Sequence, residues 1–323
     1  MQRKLYTPPI FCKKRFDAFF GKNARLWWMG FAMLMVIFDH AVLYQNSSDK
    51  VFFLMKVLFN QGGFGVNIFL IVSAYGLCHS FQNKPLIDFY LSRVAKLYPV
   101  YLTFMIFLTY TLWSGENLWL HWFRQSTGLC ALFIGEDEWY IPSLVLMYLC
   151  FPLVFHICRW LSDKNVIAIF LPIAVSTYVY YFISGYINWL FFLRFHCILL
   201  GCMFYFIKDE AKIVKLLTLT SSLALFTLMD TKFFYVIPLL IYAICKSNFV
   251  LPFKNIVSFM GAYSLEIYLG QFVGFQYFFK YKFWDYGYWV NFLISLCITF
   301  IMSVFFILVQ KYFSLSNNFF IKF

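Results

Sequence analysis

Long apolar runs separated by short polar stretches make up most of this chain. Each run of about 17 to 25 residues is long enough to cross the hydrocarbon core of a bilayer, roughly 30 Å, as a helix. The alternation of polar and apolar residues that is typical of membrane β-strands is missing from the sequence. The pattern therefore predicts ten transmembrane helices, at residues 25–44, 63–82, 97–114, 139–159, 165–184, 187–207, 212–229, 231–246, 256–280 and 288–312.

The composition excludes an ordinary soluble domain. Of the 323 residues, 63% are apolar and only 12% are charged, and the mean hydropathy is +0.74. Soluble domains are about half apolar. No repeat, linker or low-complexity segment divides the sequence. We therefore expect one all-α, polytopic membrane helix bundle at residues 25–313, between a basic N-terminal tail at 1–24 and a short C-terminal tail at 314–323.

The placement of basic residues predicts the orientation in the membrane. Lys and Arg number 26 against 14 Asp and Glu, which gives a net charge of +12. Most of the basic residues fall in the N-terminal tail, the even-numbered loops and the C-terminus, and such segments stay in the cytoplasm. The tail also lacks the apolar stretch and cleavage site of a signal peptide. We therefore expect both termini in the cytoplasm, where the positive face meets anionic lipid or an anionic cofactor and not nucleic acid.

Few ionisable residues fall inside the predicted spans, and each is a candidate for a functional role. They are Asp39, His40, Arg194, His196 and Glu266. His40 has two interpretations: a site of chemistry, or a neutral histidine that only bonds to a neighbouring helix. Glu266 has the same two interpretations. The nine cysteines show no metal-ligand spacing, so we treat them as small apolar residues and expect no metal site.

Three basic residues lie toward the predicted cytoplasmic ends of the spans. Arg25 precedes His40 by 15 residues, about 22 Å along a helix, so the two residues bracket much of the bilayer. Arg93 and Lys96 are one helical turn apart. With Arg25 they suit the binding of phosphate groups. The alternative is that all three only anchor their helices at the membrane surface.

Six segments, taken in order, carry a resemblance to a known family. One of them begins a helix with glycine, asparagine and serine where a simple membrane anchor has leucine. The segments are Trp28 to His40, Gly63 to Phe69 with Ser73-Ala74-Tyr75, Arg93 to Pro99, Glu138 to Tyr148 with Pro152, Arg194-Phe195 with Leu200-Gly201, and Gly261 to Leu269. In this order they resemble the acyltransferase 3 family of polytopic membrane proteins, which acylate sugars of lipopolysaccharide, capsule, exopolysaccharide and peptidoglycan.

The resemblance implies a multi-pass O-acyltransferase of a bacterial inner or plasma membrane, most simply an O-acetyltransferase. Its acyl donor is acetyl-CoA or another acyl-CoA made in the cytoplasm. Its acceptor is a hydroxyl group of an envelope polysaccharide or a lipid-linked sugar. Membrane lipids are the remaining expected partners.

The resemblance also implies roles for particular residues. Arg25, Arg93 and Lys96 are expected to bind the phosphates of coenzyme A. His40 is expected to act either as the general base for the sugar hydroxyl or as a nucleophile that carries the acyl group, and both routes stay open. The expected catalytic residues are His40 and three candidate donors to the oxyanion, Asn67, Ser73 and Arg194.

Four positions depart from the family's pattern. Met29 stands where the family's first helix has an arginine, and we expect Arg25, one turn earlier, to replace it by extending its side chain inward. The other departures are Asn67 in place of an aspartate, Ala74 in place of a glycine, and Gln271 where many members have a histidine.

Two other functions fit the same sequence. Ten spans with charged residues inside the membrane also suit a transporter or flippase of a lipid-linked sugar. Transporters often show a repeat that relates their halves, and this sequence shows none. A family member that binds or regulates without catalysis is the second alternative, because Met29 replaces the usual arginine.

Overall fold

A computed structural model describes residues 22–43, 63–112, 117–127, 140–183, 190–207, 212–213, 215–216, 218–219, 253–279 and 287–320. These ranges are almost entirely helical and contain no strand, which confirms the all-α prediction. The helices are α1 Lys22–Leu43, α2 Gly63–Asn83, α3 Leu86–Leu112, α4 Leu118–Ser126, α5 Tyr140–Ser162, α6 Val166–Ile183, α7 Leu190–Phe206, α8 Lys254–Ala262, α9 Ser264–Gln271, the π-helix Phe272–Phe279 and α10 Tyr288–Phe320.

Four of the described helices are long and apolar enough to cross a membrane. They are the segments Ala24–Val42, Leu86–Tyr110, Tyr140–Ser162 and Tyr288–Ser314. A bent pair, Lys254–Ala262 and Ser264–Phe275, makes a fifth if it counts as one span. The predicted spans at 212–229 and 231–246 lie mostly outside the described residues. The number ten and the cytoplasmic location of both termini therefore stay predictions.

The long helices expose apolar side chains on one face and bury them on another. On α5, Leu149, Leu153 and Ile157 are exposed at four-residue intervals, while Phe151 and Phe155 are buried in the core. An apolar face this continuous is unfavourable in water, and it is what a helix in contact with lipid requires. The exposed faces therefore agree with a membrane-embedded bundle.

The prediction for α3 was wrong at its first residue. The apolar run begins near residue 97, but the helix begins at Leu86 and continues through Pro99. Pro99 has no N–H to donate to the carbonyl of Ala95, one turn earlier. The side chain of Gln310 on α10 donates its Nε2 hydrogen to that carbonyl at 3.2 Å instead. Because this bond satisfies the carbonyl, the helix continues, and Arg93 and Lys96 lie within it.

The segment predicted as a span at residues 256–280 is a bent pair of helices in the structure. The helix breaks at Tyr263, and the two parts are bent by 78°. Apolar composition reports the length of such a run and not where its backbone hydrogen bonds are interrupted. As a result, α8 and α9 take different directions from a single apolar stretch.

Close backbone contacts hold this bent segment between two neighbours. A Cβ atom on Gly261 would overlap the carbonyl of Leu26 on α1, and one on Gly30 would overlap the carbonyl of Val257 on α8. Such pairs of small residues let membrane helices approach closely. On the other side, Gly270 and Gly274 lie against the buried stripe of α10 formed by Ser295, Thr299 and Ser303. The bent segment is therefore held by α1 before the bend and by α10 after it.

Candidate functional site

His40 is joined to Gln271 across 231 positions of the sequence. His40 lies in the last turn of α1, and Gln271 is the last residue of α9, where the π-helix begins. The distance from His40 Nδ1 to Gln271 Oε1 is 2.8 Å. An amide oxygen can only accept, so Nδ1 carries the proton and the ring lone pair is on Nε2. This tautomer suits His40 for a role as base or nucleophile at Nε2.

Gln271 occupies an unusual place in the backbone. It is fully buried, and its Nε2 atom has no hydrogen-bond partner among the described residues. The π-helix that follows runs over eight residues. Turns of π-helix are rare and often lie at functional sites. The sequence analysis named this residue only as a departure from the family's pattern, a glutamine inside an apolar run.

The structure brings Arg25, Arg93 and Lys96 together near the first turns of α1, and we call these three residues the basic cluster. Both Arg93 and Lys96 interact electrostatically with Arg25. Glu266, buried in the first turn of α9, interacts with Lys96. One carboxylate does not neutralise three cations, and positive charges are costly inside a bundle unless anions accompany them. The basic cluster therefore suits an anionic ligand.

One face of α2 supports the basic cluster. Ser73, Gly76 and Ser80 share this face because their spacing matches the turns of a helix. Arg93 donates from Nη2 to Ser80 Oγ at 2.6 Å. A Cβ atom on Gly76 would overlap the guanidinium of Arg25, so the glycine makes room for that side chain. The sequence analysis missed Gly76 and Ser80, although their spacing from Ser73 was a signal.

Arg93 is held by several further interactions. Its guanidinium lies over the ring of Phe89, 5.3 Å from the centroid, which is within the range of a cation–π interaction. Tyr148 on α5 interacts with it electrostatically. Its Nε atom is buried and has no hydrogen-bond partner among the described residues. Arg93 is therefore oriented by protein groups and still has a donor for a ligand.

The basic cluster and the His40–Gln271 pair lie at opposite ends of α1. Arg25 and His40 are both on this unbroken helix, and their 15-residue separation corresponds to about 22 Å. The sequence predicted this spacing, and the continuity of Lys22–Leu43 agrees with it. A ligand that touches both ends has to be long and narrow.

Asn67 lies at a different helix interface from His40. Asn67, Ile71 and Ala74 share one face of α2, and Gly201 of α7 packs against Ile71 and Ala74. Gly65, which packs against α1, points about 200° away from Asn67 around the helix. Asn67 therefore shares the face of α2 that packs against α7. Both polar atoms of its fully buried amide have no hydrogen-bond partner among the described residues, and its role stays a prediction.

The other predicted residues lie on α2 and α7. Ser73 is half-buried on the face of α2 that supports the basic cluster. Arg194 lies in α7, and its side chain is outside the part of the chain that the structure describes. His196 is buried, with Nε2 3.3 Å from the sulfur of Cys197. Within the described residues, no group of three His, Cys, Asp or Glu side chains is arranged to hold a metal ion.

Comparison with known proteins shows the family of this chain. A family model described as "Acyltransferase domain", that of the acyltransferase 3 family, matches residues 27–309. The match includes His40, Arg93, Lys96 and Gln271, and it begins two residues after Arg25. No curated protein and no solved structure matches the chain. A match over most of the chain, together with its apolar helices, shows a membrane protein of the acyltransferase kind, and the chain belongs to the acyltransferase 3 family.

Proposed function

We propose that this protein transfers an acyl group, acetyl in the simplest case, from acyl-CoA to a hydroxyl of an envelope polysaccharide or lipid-linked sugar. The observation that carries the proposal is the division of α1 between a basic cluster and the His40–Gln271 pair. Membership of an acyltransferase family supplies the type of reaction. The enzyme works in a bacterial inner or plasma membrane.

Binding of the donor follows from the charges on coenzyme A. Its phosphates bind Arg25, Arg93 and Lys96 through charge-assisted hydrogen bonds. Its long, narrow arm extends along α1. The thioester at the end of this arm then reaches the His40 end of the helix. Ser73 lies on the α2 face beside the basic cluster, so its proposed role moves from the oxyanion to the donor.

Chemistry takes place at His40 by one of two routes. As a base, Nε2 removes the proton from the sugar hydroxyl while the oxygen attacks the thioester carbon. The tetrahedral intermediate then breaks its C–S bond, and the thiolate of coenzyme A takes the proton from Nε2. As a nucleophile, Nε2 attacks the thioester carbon and the C–S bond breaks, which releases the thiolate of coenzyme A and leaves the acyl group on Nε2. In a second step the sugar oxygen attacks the acyl carbon, the bond to Nε2 breaks, and the hydroxyl proton passes to the thiolate.

The test uses inverted membrane vesicles from the source organism, in which the cytoplasmic face is outside. Vesicles with the wild-type protein are given acetyl-CoA that carries a radioactive acetyl group, and label in the envelope glycan is measured. We expect His40→Ala to lower the transfer rate by about 10²-fold or more, because a positioned base or nucleophile is lost. His156→Ala is the matched control, since this histidine is exposed on α5.

Transfer at the wild-type rate by a folded His40→Ala protein would contradict the role of His40. Absence of transfer by the wild type, together with movement of lipid-linked sugar across the vesicle membrane, would favour a transporter instead. Competition between acetyl-CoA and succinyl-CoA identifies the acyl group.

A further inference from the structure

We propose that the adenine base of the coenzyme A donor binds beside the basic cluster, against the ring of Tyr205 and the amide of Gln82. This inference rests on the proposed function and goes beyond it, because that function uses only the phosphates, the arm and the thioester of the donor. Gln82 and Tyr205 are then specificity residues, which distinguish coenzyme A from other acyl carriers that bear phosphate. They bind the donor and take no part in the chemistry at His40.

A continuous line of contacts leads from the basic cluster to these two residues. Arg25 lies against Gly76 of α2 and interacts electrostatically with Tyr75, the residue before it. The ring of Tyr75 packs against that of Tyr205 on α7, with 5.4 Å between the two centroids. The hydroxyl of Tyr205 in turn donates to Oε1 of Gln82. A nucleotide whose phosphates bind Arg25 therefore has aromatic and amide groups next to it.

The position of Gln82 along its helix fits the order of the groups in coenzyme A. Where α1 and α2 touch they run antiparallel, because Gly65 packs against Ala32 and Gly76 packs against Arg25. Gln82 lies six residues beyond Gly76, about 9 Å farther along α2, in the direction away from the site of chemistry. In coenzyme A the phosphates likewise separate the adenosine from the arm and the thioester. The two ends of the donor therefore extend from the basic cluster in opposite directions.

The chemistry of the two side chains suits a purine base. The bundle does not enclose them, since Gln82 is exposed and Tyr205 is half-buried. An aromatic ring stacks on the flat face of any base. An amide recognises adenine in particular, because its oxygen accepts from the 6-amino group while its nitrogen donates to N7. An amide oxygen has two lone pairs, so the bond that Gln82 accepts from Tyr205 is compatible with this pairing.

The hydrogen bond between Tyr205 and Gln82 also orients the amide before a ligand binds. It joins α7 to α2 across 123 positions of the sequence. A glutamine side chain that is already held loses less conformational entropy on binding than one that moves freely. The Tyr205 hydroxyl is therefore expected to contribute to affinity for the base through Gln82.

The test exchanges the base of the donor. Wild-type protein in inverted vesicles is given three donors in turn: acetyl-CoA, its analogue with hypoxanthine in place of adenine, and S-acetyl-4′-phosphopantetheine, which lacks the nucleotide. We expect kcat/KM to be about 10-fold lower for the hypoxanthine analogue than for acetyl-CoA, because the 6-amino group is lost. Gln82→Leu should abolish this preference and leave kcat within about 2-fold of the wild type, because it removes a binding contact.

Tyr205→Leu separates stacking from the contact with the amide. We expect KM to rise by about 10-fold for acetyl-CoA and for the hypoxanthine analogue, because both bases stack on the ring. KM for S-acetyl-4′-phosphopantetheine should stay constant. Tyr205→Phe keeps the ring and should raise KM for acetyl-CoA by a smaller factor. If Tyr205→Leu does not give monodisperse protein, the comparison of Gln82→Leu with the wild type decides the question.

Asn83→Leu is the matched control for Gln82→Leu. Asn83 is the next residue, is also exposed, and donates to the carbonyl of His79 in its own helix at 2.8 Å. This variant loses an amide at the same end of α2 and should keep the preference for adenine. An equal loss of preference in the two variants would overturn the role of Gln82, since it would show a general disturbance of this end of the helix.

Equal kcat/KM of the wild type for acetyl-CoA and the hypoxanthine analogue would overturn the inference. So would an undiminished preference for adenine in Gln82→Leu. In both cases transfer continues, and the proposed function stands. Absence of transfer from all three donors would remove the proposed function instead, and binding of 3′,5′-ADP to the solubilised protein then tests the base site alone. About 10-fold weaker binding in Gln82→Leu than in Asn83→Leu would support that site, and equal binding would overturn it.

Discussion

The two ends of α1 differ in the charge of the side chains that surround them. At the basic cluster, Lys96 is exposed and Arg25 and Arg93 are half-buried, so the bundle does not enclose these positive charges. At the other end, the amide of Gln271 is fully buried and makes a neutral hydrogen bond to His40. The charged end suits binding, and the neutral end suits chemistry. On the proposed function, substitutions at the two ends therefore separate KM from kcat.

The largest expected effect comes from breaking the close backbone contact between α8 and α1. Gly261→Val places a branched side chain against the carbonyl of Leu26, where even a Cβ atom does not fit. We expect the free energy of unfolding to fall by about 3 kcal/mol, as in other overpacked interiors, with loss of most folded protein. The yield of monodisperse protein and its thermal midpoint measure this.

The neighbouring residue provides the control for that substitution. Ala262→Val introduces the same side chain one position later, on an exposed part of α8. Its yield should match the wild type. An equal loss of yield in the two variants would mean that α8 tolerates added volume at neither position. The effect of Gly261→Val could then not be assigned to the close contact with α1.

The next effect is confined to the charged end. Arg93→Ala removes a guanidinium that donates to Ser80 and leaves one donor for a ligand. We expect the KM for acetyl-CoA to rise by about 10- to 100-fold, the cost of losing a charged hydrogen bond, with kcat nearly unchanged. Steady-state transfer at varied acetyl-CoA measures both constants. A fall in kcat at constant KM would contradict the separation of the two ends.

A smaller effect is expected from Gly76→Ala, which pushes the guanidinium of Arg25 out of its place. The KM for acetyl-CoA should rise by about 3- to 10-fold, because the side chain is displaced and not removed. The double variant Arg25→Ala/Gly76→Ala should behave like Arg25→Ala alone, since residues in contact are not additive. Additive losses would show that Gly76 acts on another group.

The smallest effect is that of salt. Raising the KCl concentration from about 0.05 M to about 0.5 M shortens the range of interactions between exposed charges. The KM for acetyl-CoA should rise by about 2- to 3-fold while kcat stays constant. Equal changes in both constants would indicate that charge also acts at the His40 end.

The sequence predicts the two ends of α1 unequally well. Arg93 and Lys96 lie one helical turn apart, as their sequence spacing predicts, and the structure brings Arg25 of α1 near them. His40 was recognisable as an ionisable residue within a span. Its partner was not, because Gln271 is 231 positions away and only tertiary packing brings them together.

Two backbone features lay beyond the reach of the pattern. The 78° bend at Tyr263 and the π-helix after Gln271 occur inside an apolar run that reads as one span. Hydropathy sums the preferences of side chains for lipid. It contains no information on the backbone hydrogen-bond pattern, which distinguishes an α-helix from a π-helix or a break. The position of Asn67 was similarly hidden, since its face of α2 is decided by the packing of Gly65 and Gly201.

The unbroken course of α1 has a consequence for the size of the donor. Because Arg25 and His40 stand on one rigid helix, no loop movement can change the distance between them. On the proposed function, α1 acts as a ruler for the donor: its length selects for the length of the coenzyme A arm and does not select for the size of the acyl group. A donor with a shortened arm would bind at the basic cluster and still present its thioester short of His40. Selection among acyl groups then depends on the residues that surround His40. Selection among acyl carriers depends on the distance between Arg25 and His40.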